Sequence, residues 1–274
     1  MSQAVAAVPI VRIRDGQRVD AIDHAAGEVP LEIRVGNRPF AVVMRTPGAD
    51  AALVAGFLLG ERLVRGSGDL ALIEHCTDPV VDAGDAANII TVRLDADAEG
   101  RAATLLAHRR EVMATAACGV CGRLTLDSMR EGLAPLAAGL QVSAALIQRL
   151  PVLLREGQAL FEATGGLHAA GIFDRAGARL ALAEDVGRHN AVDKVVGALL
   201  LRDGLPASDA VLCVSGRTSY EIVQKAWCAG IPIVVSVSAP SSLAVSLADE
   251  AGMTLAGFVR GGGLNIYAHP ARIT

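Results

Sequence analysis

Cys118 and Cys121 are the residues best placed in this sequence to carry out chemistry on sulfur, because they form a CxxC pair. A glycine follows each cysteine, at Gly119 and Gly122. Glycine tolerates backbone conformations that other residues avoid, so the pair is expected in a mobile loop. Three interpretations follow: metal ligands, a redox-active dithiol, or a carrier that holds a group on sulfur.

The metal interpretation is disfavoured. A closed zinc site needs four ligands, and the chain has neither a second CxxC nor an HxxxH pair. A nucleobase deaminase would carry H-x-E before P-C-x-x-C. Here Ala170 stands two residues after His168, where that glutamate would be, and His168 follows the cysteines instead of preceding them. We expect no metal site, while a dithiol oxidoreductase and a sulfur carrier both stay open.

A second group of residues is suited to binding phosphate. Two turns rich in small and hydroxyl residues each follow a predicted strand and open a predicted helix. Helix N-termini attract anions, and arginine can donate two parallel hydrogen bonds to one. A third strand ends in an arginine and a run of glycines. The predicted binding residues are Ser215, Gly216, Arg217, Ser219, Ser238, Ser241, Phe258, Val259, Arg260, Gly261, Gly262 and Gly263.

The alternative for the serines is ordinary helix capping. Three turns at one sheet edge, two of them with an arginine, favour a phosphate-bearing ligand instead. The chain contains neither a GxxxxGK[ST] nor a GxGxxG motif, so a P-loop ATPase and a standard dinucleotide-binding fold are not supported.

A polar segment, 184–190, precedes a predicted helix. Capping explains a residue such as Asp185 or Asn190, but it does not require Arg188 and His189. We therefore predict that Arg188 and His189 line the binding site. His168, which follows two glycines, is a further candidate.

The elements around these residues divide the chain into two predicted parts, 1–130 and 131–274. In the first part, a hairpin (31–35 and 40–45), a helix (50–62) and two strands (70–76 and 88–94) indicate a mixed α+β unit. Residues 99–113 are compatible with a helix followed by a strand. A helix is expected to start at Ser143. Pro151 is expected to divide this helix or to begin a second one, and the helical segment is expected to end near Gly165.

The second part has a more regular pattern. A hairpin (171–173 and 180–182) and a helix (190–202) precede apolar strands that alternate with helices over 210–259. That order predicts parallel strands with helices on both faces, hence a three-layer α/β/α arrangement.

Composition narrows the class of protein. The 274 residues are 52% hydrophobic, and the mean hydropathy is +0.42, but no apolar run approaches the roughly 18 residues of a membrane span. No signal peptide is visible, so a cytoplasmic protein without membrane attachment is expected. A net charge of −4 argues against a nucleic-acid partner. Five unevenly spaced cysteines argue against a disulfide framework.

Six motifs occur in order and together resemble one family, the formate dehydrogenase accessory sulfurtransferases (FdhD family). The resemblance runs from about Arg45 to the C-terminus. The motifs are ACGVCG, TGGLHAA, EDVGRHNAVDK, SGRTSYEIVQK, SAPSSLAVSLA and GFVRGGGLNIY.

The resemblance implies a sulfur carrier. It would accept sulfane sulfur from a cysteine desulfurase as a persulfide on Cys118 or Cys121. It would pass that sulfur to the molybdenum or tungsten of bis(molybdopterin guanine dinucleotide), with GDP as a mimic of the nucleotide, and so serve formate dehydrogenase. The segment 258–263 matches the family's cofactor-binding segment.

The resemblance also implies a cytidine deaminase-like fold with a smaller α+β N-terminal part, and a homodimer. Two other functions remain as alternatives: a dithiol-disulfide oxidoreductase, and a non-catalytic chaperone of the molybdenum cofactor.

Overall fold

The structure, a computed structural model, describes residues 4–36, 38–78, 80–109 and 133–274. The strands within these residues form three sheets, and helices pack on the two larger ones. The α/β class predicted from the sequence is confirmed. Among the described residues no helix is both long enough and apolar enough to cross a membrane.

A four-stranded sheet forms the N-terminal part, in the order β4-β3-β6-β5. The first two of its strands make the predicted antiparallel hairpin, β6 pairs parallel to β3, and β5 closes the sheet antiparallel to β6. The predicted mixed α+β unit is therefore confirmed. The strands are β3 (Val29–Val35), β4 (Arg38–Arg45), β5 (Leu70–His75) and β6 (Ile89–Leu94).

Three helices accompany this sheet. They are α1 (Asp50–Gly60), α2 (Ala83–Ala86) and α3 (Ala96–Arg109). The helix predicted over 50–62 is confirmed. The helix predicted at the start of 99–113 is confirmed as far as Arg109. The strand predicted after it lies outside the described residues.

A separate two-stranded hairpin precedes this sheet and was not predicted. It pairs β1 (Val5–Arg14) with β2 (Gln17–Ala26) in regular antiparallel register. Asp15 and Gly16 make its turn, with φ of 50° and 78°. A tight hairpin turn of this kind needs positive φ at both residues, and Asp-Gly is a sequence signal for it. This hairpin could therefore have been predicted from Asp15 and Gly16.

A six-stranded sheet, in the order β12-β11-β10-β9-β7-β8, forms the C-terminal part. The central strands β9, β10 and β11 are parallel, as predicted, and the outer pairings are antiparallel. The strands are β7 (His168–Asp174), β8 (Arg179–Asp185), β9 (Ala210–Val214), β10 (Ile233–Ser236), β11 (Thr254–Arg260) and β12 (Gly263–Ala268).

Helices cover both faces of this sheet, because alternate strand residues point in opposite directions. Leu212, Val234 and Leu255 belong to the core shared with α1, α6, α7 and α8, whereas Val211 and Ile233 belong to the core under α4. The predicted three-layer arrangement is confirmed. The helices are α4 (Ala144–Arg155), α5 (Ala159–Thr164), α6 (Arg188–Leu200), α7 (Tyr220–Cys228) and α8 (Ser242–Glu250).

Pro151 does not divide α4, so that prediction is wrong. The helix begins at the Ser143 cap, as expected, and continues through Pro151 to Arg155. Ile147, Leu150 and Leu154 on one face of α4 are almost fully buried against the sheet. Burial of that face holds the helix together although Pro151 cannot donate a backbone hydrogen bond.

Two glycines let the N-terminal part pack tightly on the C-terminal part. A Cβ atom added to Gly56 on α1 would overlap the backbone of Asp193, and one added to Gly197 on α6 would overlap the carbonyl oxygen of Ala52. The two helix backbones are therefore in direct contact. One core cluster includes residues of both helices, and the division of the chain near residue 130 stays a prediction.

We expect Gly197→Ala to lower the free energy of unfolding by about 2 kcal/mol or more, because the new methyl group must force α1 and α6 apart. Gly68→Ala is the matched control, since nothing lies within 4 Å of the position its Cβ would take. Urea denaturation of both variants measures the difference. Equal stability of the two variants would contradict the close helix contact.

Candidate anion-binding site

The predicted binding residues come together at one edge of the six-stranded sheet. The carboxyl ends of β9, β10 and β11 lie at that edge because these strands are parallel. Since β7 runs antiparallel to β9, it begins at the same edge with His168, and β8 ends there with Asp185. The strand β12, antiparallel to β11, also begins at this edge, which therefore gathers four strand ends and two strand starts.

Backbone hydrogen bonds join the loops that follow the three parallel strands. Thr218 N donates to Ala239 O (3.2 Å), and Ser241 N donates to Thr218 O (3.0 Å). Phe258 N donates to Ser238 O (3.1 Å). The rim of the site is thus held in one arrangement before any ligand arrives.

The predicted serines have different roles. Ser241 Oγ accepts from Ala244 N (3.2 Å) and caps α8, so the capping alternative holds there. Ser215 Oγ accepts from Ala169 N (2.9 Å) and extends the pairing of β7 with β9. Ser219 makes no capping bond, and its Oγ lies 3.0 Å from His189 Nε2. The start of α7 consequently has no side-chain cap.

Arginine and histidine side chains gather around this uncapped helix start. Arg188 and His189 are the first residues of α6, Arg217 lies exposed in the loop between β9 and α7, and His168 is half-buried beside them. His189 Nε2 also lies 2.8 Å from Glu221 Oε2. The structure therefore brings together Arg188, His189 and Arg217, which the sequence predicts as ligand-binding residues.

Burial and neighbouring positive charge set the protonation of His168. Burial is the largest cause, and Arg188, His189 and Arg217 add to it, so the pKa of His168 is lowered although Asp185 opposes the shift. A histidine with a lowered pKa is neutral at neutral pH. The positive charge that repels this proton is also the charge that would attract an anion.

Two residues that the sequence reasoning missed have buried polar atoms at the site. Thr218 is fully buried, and its Oγ1 has no hydrogen-bond partner among the described residues. Glu221 Oε1 also has no hydrogen-bond partner in the described part of the chain. The same holds for Nε of Arg188, which the sequence did predict as a site residue. Glu221 could have been noticed as the acidic residue in the first turn of a helix that follows an anion-suited loop.

The acidic residues of the polar segment 184–190 are structural. Glu184 accepts hydrogen bonds from Leu160 N (2.9 Å) and Phe161 N (2.7 Å) at the start of α5. Asp185 is fully buried and pairs with Lys194, Nζ to Oδ2, at 2.7 Å. Arg188 and His189 are thus the members of this segment that face the site.

The Asp185–Lys194 pair also fixes the N-terminal part to the site. Thr46 N donates to Asp185 Oδ2 (3.1 Å), and Lys194 Nζ donates to Thr46 O (2.8 Å). Asn190 Nδ2 donates to Asp185 Oδ1 (3.0 Å) and to Met44 O (2.7 Å). Each polar atom of the pair has a partner, as a buried charge requires.

A second buried pair joins α6 to α7. Lys225 Nζ lies 2.6 Å from Asp193 Oδ1. Burial raises the pKa of Asp193 to about 6, an effect that Lys225 partly offsets. Burial by itself would lower the pKa of Lys225, but the carboxylates of Asp193, Glu61 and Glu221 raise it. This pair joins the first half of α6 to the last turn of α7.

The segment 258–263 is the end of β11 and a tight turn into β12. Val259 is fully buried in the core, so only its backbone is available to a ligand. Phe258 has a φ of 53°, and the Arg260 guanidinium stands 5.3 Å from the centre of its ring. Gly261 and Gly262 form the turn with positive φ, and Gln148 Nε2 donates to Gly262 O (2.7 Å).

The dithiol of Cys118 and Cys121 lies outside the described residues. The described cysteines are Cys76, Cys213 and Cys228. Burial raises the pKa of the Cys213 thiol far above its ordinary range, so that thiol is an inert member of the core.

The structure is that of an α/β protein in which one sheet edge gathers Arg188, His189 and Arg217. Comparison with known proteins assigns its family. The family model named FdhD/NarQ family matches residues 26–274, and the chain belongs to that family.

Relatives in several bacteria carry the name sulfur carrier protein FdhD. The protein from Nocardia farcinica is 46% identical over 96% of this chain and 93% of its own length. The protein from Anaeromyxobacter dehalogenans is 49% identical over 92% of this chain and 88% of its own length. The protein from Mycobacterium bovis is 43% identical over the full length of this chain and of its own.

A solved structure agrees with the fold. The crystal structure of a protein from Desulfotalea psychrophila, assigned as a formate dehydrogenase accessory protein, superposes with a TM-score of 0.78. It covers 99% of this chain and all of its own, at 27% sequence identity. The arrangement of the described strands and helices is therefore shared with that protein.

We expect Lys194→Met to lower the free energy of unfolding by about 3–5 kcal/mol, because it leaves the Asp185 carboxylate buried without its counter-charge. Glu162→Gln is the control, since it removes an ion pair with Arg155 whose side chains are 76% and 46% exposed. We expect that control to change stability by less than about 1 kcal/mol. A loss in Lys194→Met no larger than in the control would contradict the role of the buried pair.

Proposed function

We propose that this protein is a sulfur carrier that accepts sulfane sulfur from a cysteine desulfurase and transfers it to bis(molybdopterin guanine dinucleotide) on behalf of formate dehydrogenase. The observation that carries the proposal is the family membership, with full-length relatives named sulfur carrier protein FdhD. The CxxC pair in the sequence supplies thiols for such a role.

The sheet edge supports binding of the cofactor's nucleotide. A guanine dinucleotide carries phosphates, and the edge offers Arg188, Arg217 and His189 together with the uncapped start of α7. Arg188 Nε is a buried donor without a partner among the described residues. Charge-assisted hydrogen bonds from such donors are the strong ones in anion recognition. The residues present therefore fit a phosphate-bearing ligand.

The transfer onto the protein requires only thiol chemistry. The thiolate of Cys118 or Cys121 attacks the outer sulfur of the donor's persulfide. A new S–S bond forms on the carrier, the S–S bond of the donor breaks, and the donor leaves as a thiolate. No external oxidant or reductant takes part. A homodimer, and insertion of the loaded cofactor into formate dehydrogenase, stay predictions of the same proposal.

Incubation with a cysteine desulfurase and cysteine should add about 32 Da, the mass of one sulfur, to the peptide that contains Cys118 and Cys121. Mass spectrometry of the digested, unreduced protein measures the adduct. Cys76→Ser is the control, because Cys76 is partly exposed but lies outside the CxxC pair, and it should keep the adduct. An adduct on neither Cys118 nor Cys121 would overturn the carrier proposal.

The same cysteines separate the alternatives in cells. A sulfur carrier predicts that replacement of both Cys118 and Cys121 by alanine abolishes formate dehydrogenase activity. A chaperone that only binds and hands over the cofactor predicts that this activity survives. A dithiol oxidoreductase predicts rapid cycling of a Cys118–Cys121 disulfide against a protein substrate, with no need for guanine nucleotide.

Arg217→Gln should weaken binding of GDP by about tenfold or more, because it removes a charge-assisted hydrogen bond to phosphate. Arg175→Gln is the matched control: Arg175 is an exposed arginine in the turn between β7 and β8, at the opposite edge of the sheet. Isothermal titration calorimetry compares the two variants with the unaltered protein. Unchanged affinity in Arg217→Gln would move the nucleotide site away from this edge.

A further inference from the structure

His168 has a position at the site that the proposed function does not use. It begins β7 and lies opposite Asp185 of β8 in the strand pairing. A Cβ atom built on Gly216 would stand 3.3 Å from His168 Nδ1, so the imidazole packs over the glycine of the loop between β9 and α7. The side chain is half-buried there. His168 therefore lies where the anion-suited loop begins.

The two histidines of the site have opposite surroundings. His189 lies 2.8 Å from the Glu221 carboxylate. His168 faces Arg188 and His189 from α6 and Arg217 from the loop before α7, and these groups and burial lower its pKa. Asp185 of β8 is the opposing carboxylate, and Lys194 already neutralises it. In the ligand-free protein His168 is thus a neutral imidazole among positive charges.

We propose that His168 is a ligand-binding residue that takes up a proton from solvent when an anion binds at this edge, and then contacts the anion as an imidazolium. The inference rests on the proposed function, because it requires that a phosphate-bearing ligand occupies this site. It adds a named residue and a proton to the binding step.

Electrostatics gives the reason. An anion held by Arg188 and Arg217 places negative charge close to the imidazole and offsets the repulsion that keeps His168 neutral. The pKa of His168 then rises, so the bound complex holds a proton that the free protein lacks. By linkage, binding is tighter at lower pH and weakens as the pH rises through the range between the free and the bound pKa. The part of the pH dependence that is lost in His168→Gln is the part that belongs to His168.

Isothermal titration calorimetry of the full chain with GDP, in buffers of different ionisation enthalpy near pH 7.5, counts the protons taken up. We expect uptake in the unaltered protein to exceed that of His168→Gln by about one proton. Any proton released by the GDP phosphate itself is common to both proteins and cancels in the difference. His24→Gln is the control, since His24 is exposed on the N-terminal hairpin, and it should match the unaltered protein.

The affinity should follow the same proton. Between about pH 7 and about pH 8 we expect GDP binding to weaken by about three- to tenfold in the unaltered protein, and by less than about twofold in His168→Gln. If His168→Gln does not fold, the ring signals of His168 in nuclear magnetic resonance spectra of the unaltered protein supply the readout. They should move to the imidazolium position on addition of GDP.

Each outcome bears on the inference. Equal proton uptake in His168→Gln and the unaltered protein, or a His168 ring signal that stays neutral in the complex, would overturn it and leave the proposed function intact. Absence of GDP binding to the unaltered protein would overturn the nucleotide site of the proposed function together with this inference. A difference of one proton, confined to His168→Gln, would establish it.

Discussion

The buried ion pair between Asp185 and Lys194 is the interaction on which the site depends. Both side chains are withdrawn from water, at 0% and 3% exposure, so each needs the other and a full set of hydrogen bonds. Those bonds reach the backbone of Thr46 and the side chain of Asn190, which joins the end of β4 to the start of α6. Arg188 and His189 lie between Asp185 and Asn190 and are positioned as a consequence.

The fold supports this pair through close helix packing and a preformed rim. Gly56 and Gly197 allow α1 and α6 to touch, and this contact joins the N-terminal part to the C-terminal part. The loops after β9, β10 and β11 are joined by backbone hydrogen bonds. A rigid rim with concentrated positive charge favours an anionic ligand, since little order is lost on binding. Burial and the same neighbouring charges lower the pKa of His168.

The regular parts of the fold could be predicted from the sequence because their signals are local. Buried parallel strands such as 210–214 and 254–260 are apolar runs, and Gly165 ends its helix with the positive φ that glycine permits. The strand β12 and the β1–β2 hairpin were missed, although Asp15-Gly16 is a hairpin signal. The prediction that Pro151 interrupts α4 was wrong, because burial of one face of the helix outweighs the local cost of proline.

The site was predictable only in part. Adjacent parallel strands bring the turns at 215–219 and 238–242 to one edge, so Arg217 and its neighbours could be grouped from the order of elements alone. The contact of Asp185 with Thr46 could not be predicted from the sequence, because Thr46 lies 139 positions away. The packing of α1 on α6 brings the two residues close. The pairing of His189 with Glu221 depends in the same way on how α6 meets α7.

A crystal structure of the protein with GDP tests most directly the claim that this sheet edge is the nucleotide site of a sulfur carrier. We expect the diphosphate to lie within hydrogen-bonding distance of Arg188 and Arg217, at the start of α7 and beside His168. The contradicting result is GDP bound elsewhere. One such place is the cavity of about 270 Å³ lined by Leu140, Gly252 and Arg272 at the opposite edge of the sheet.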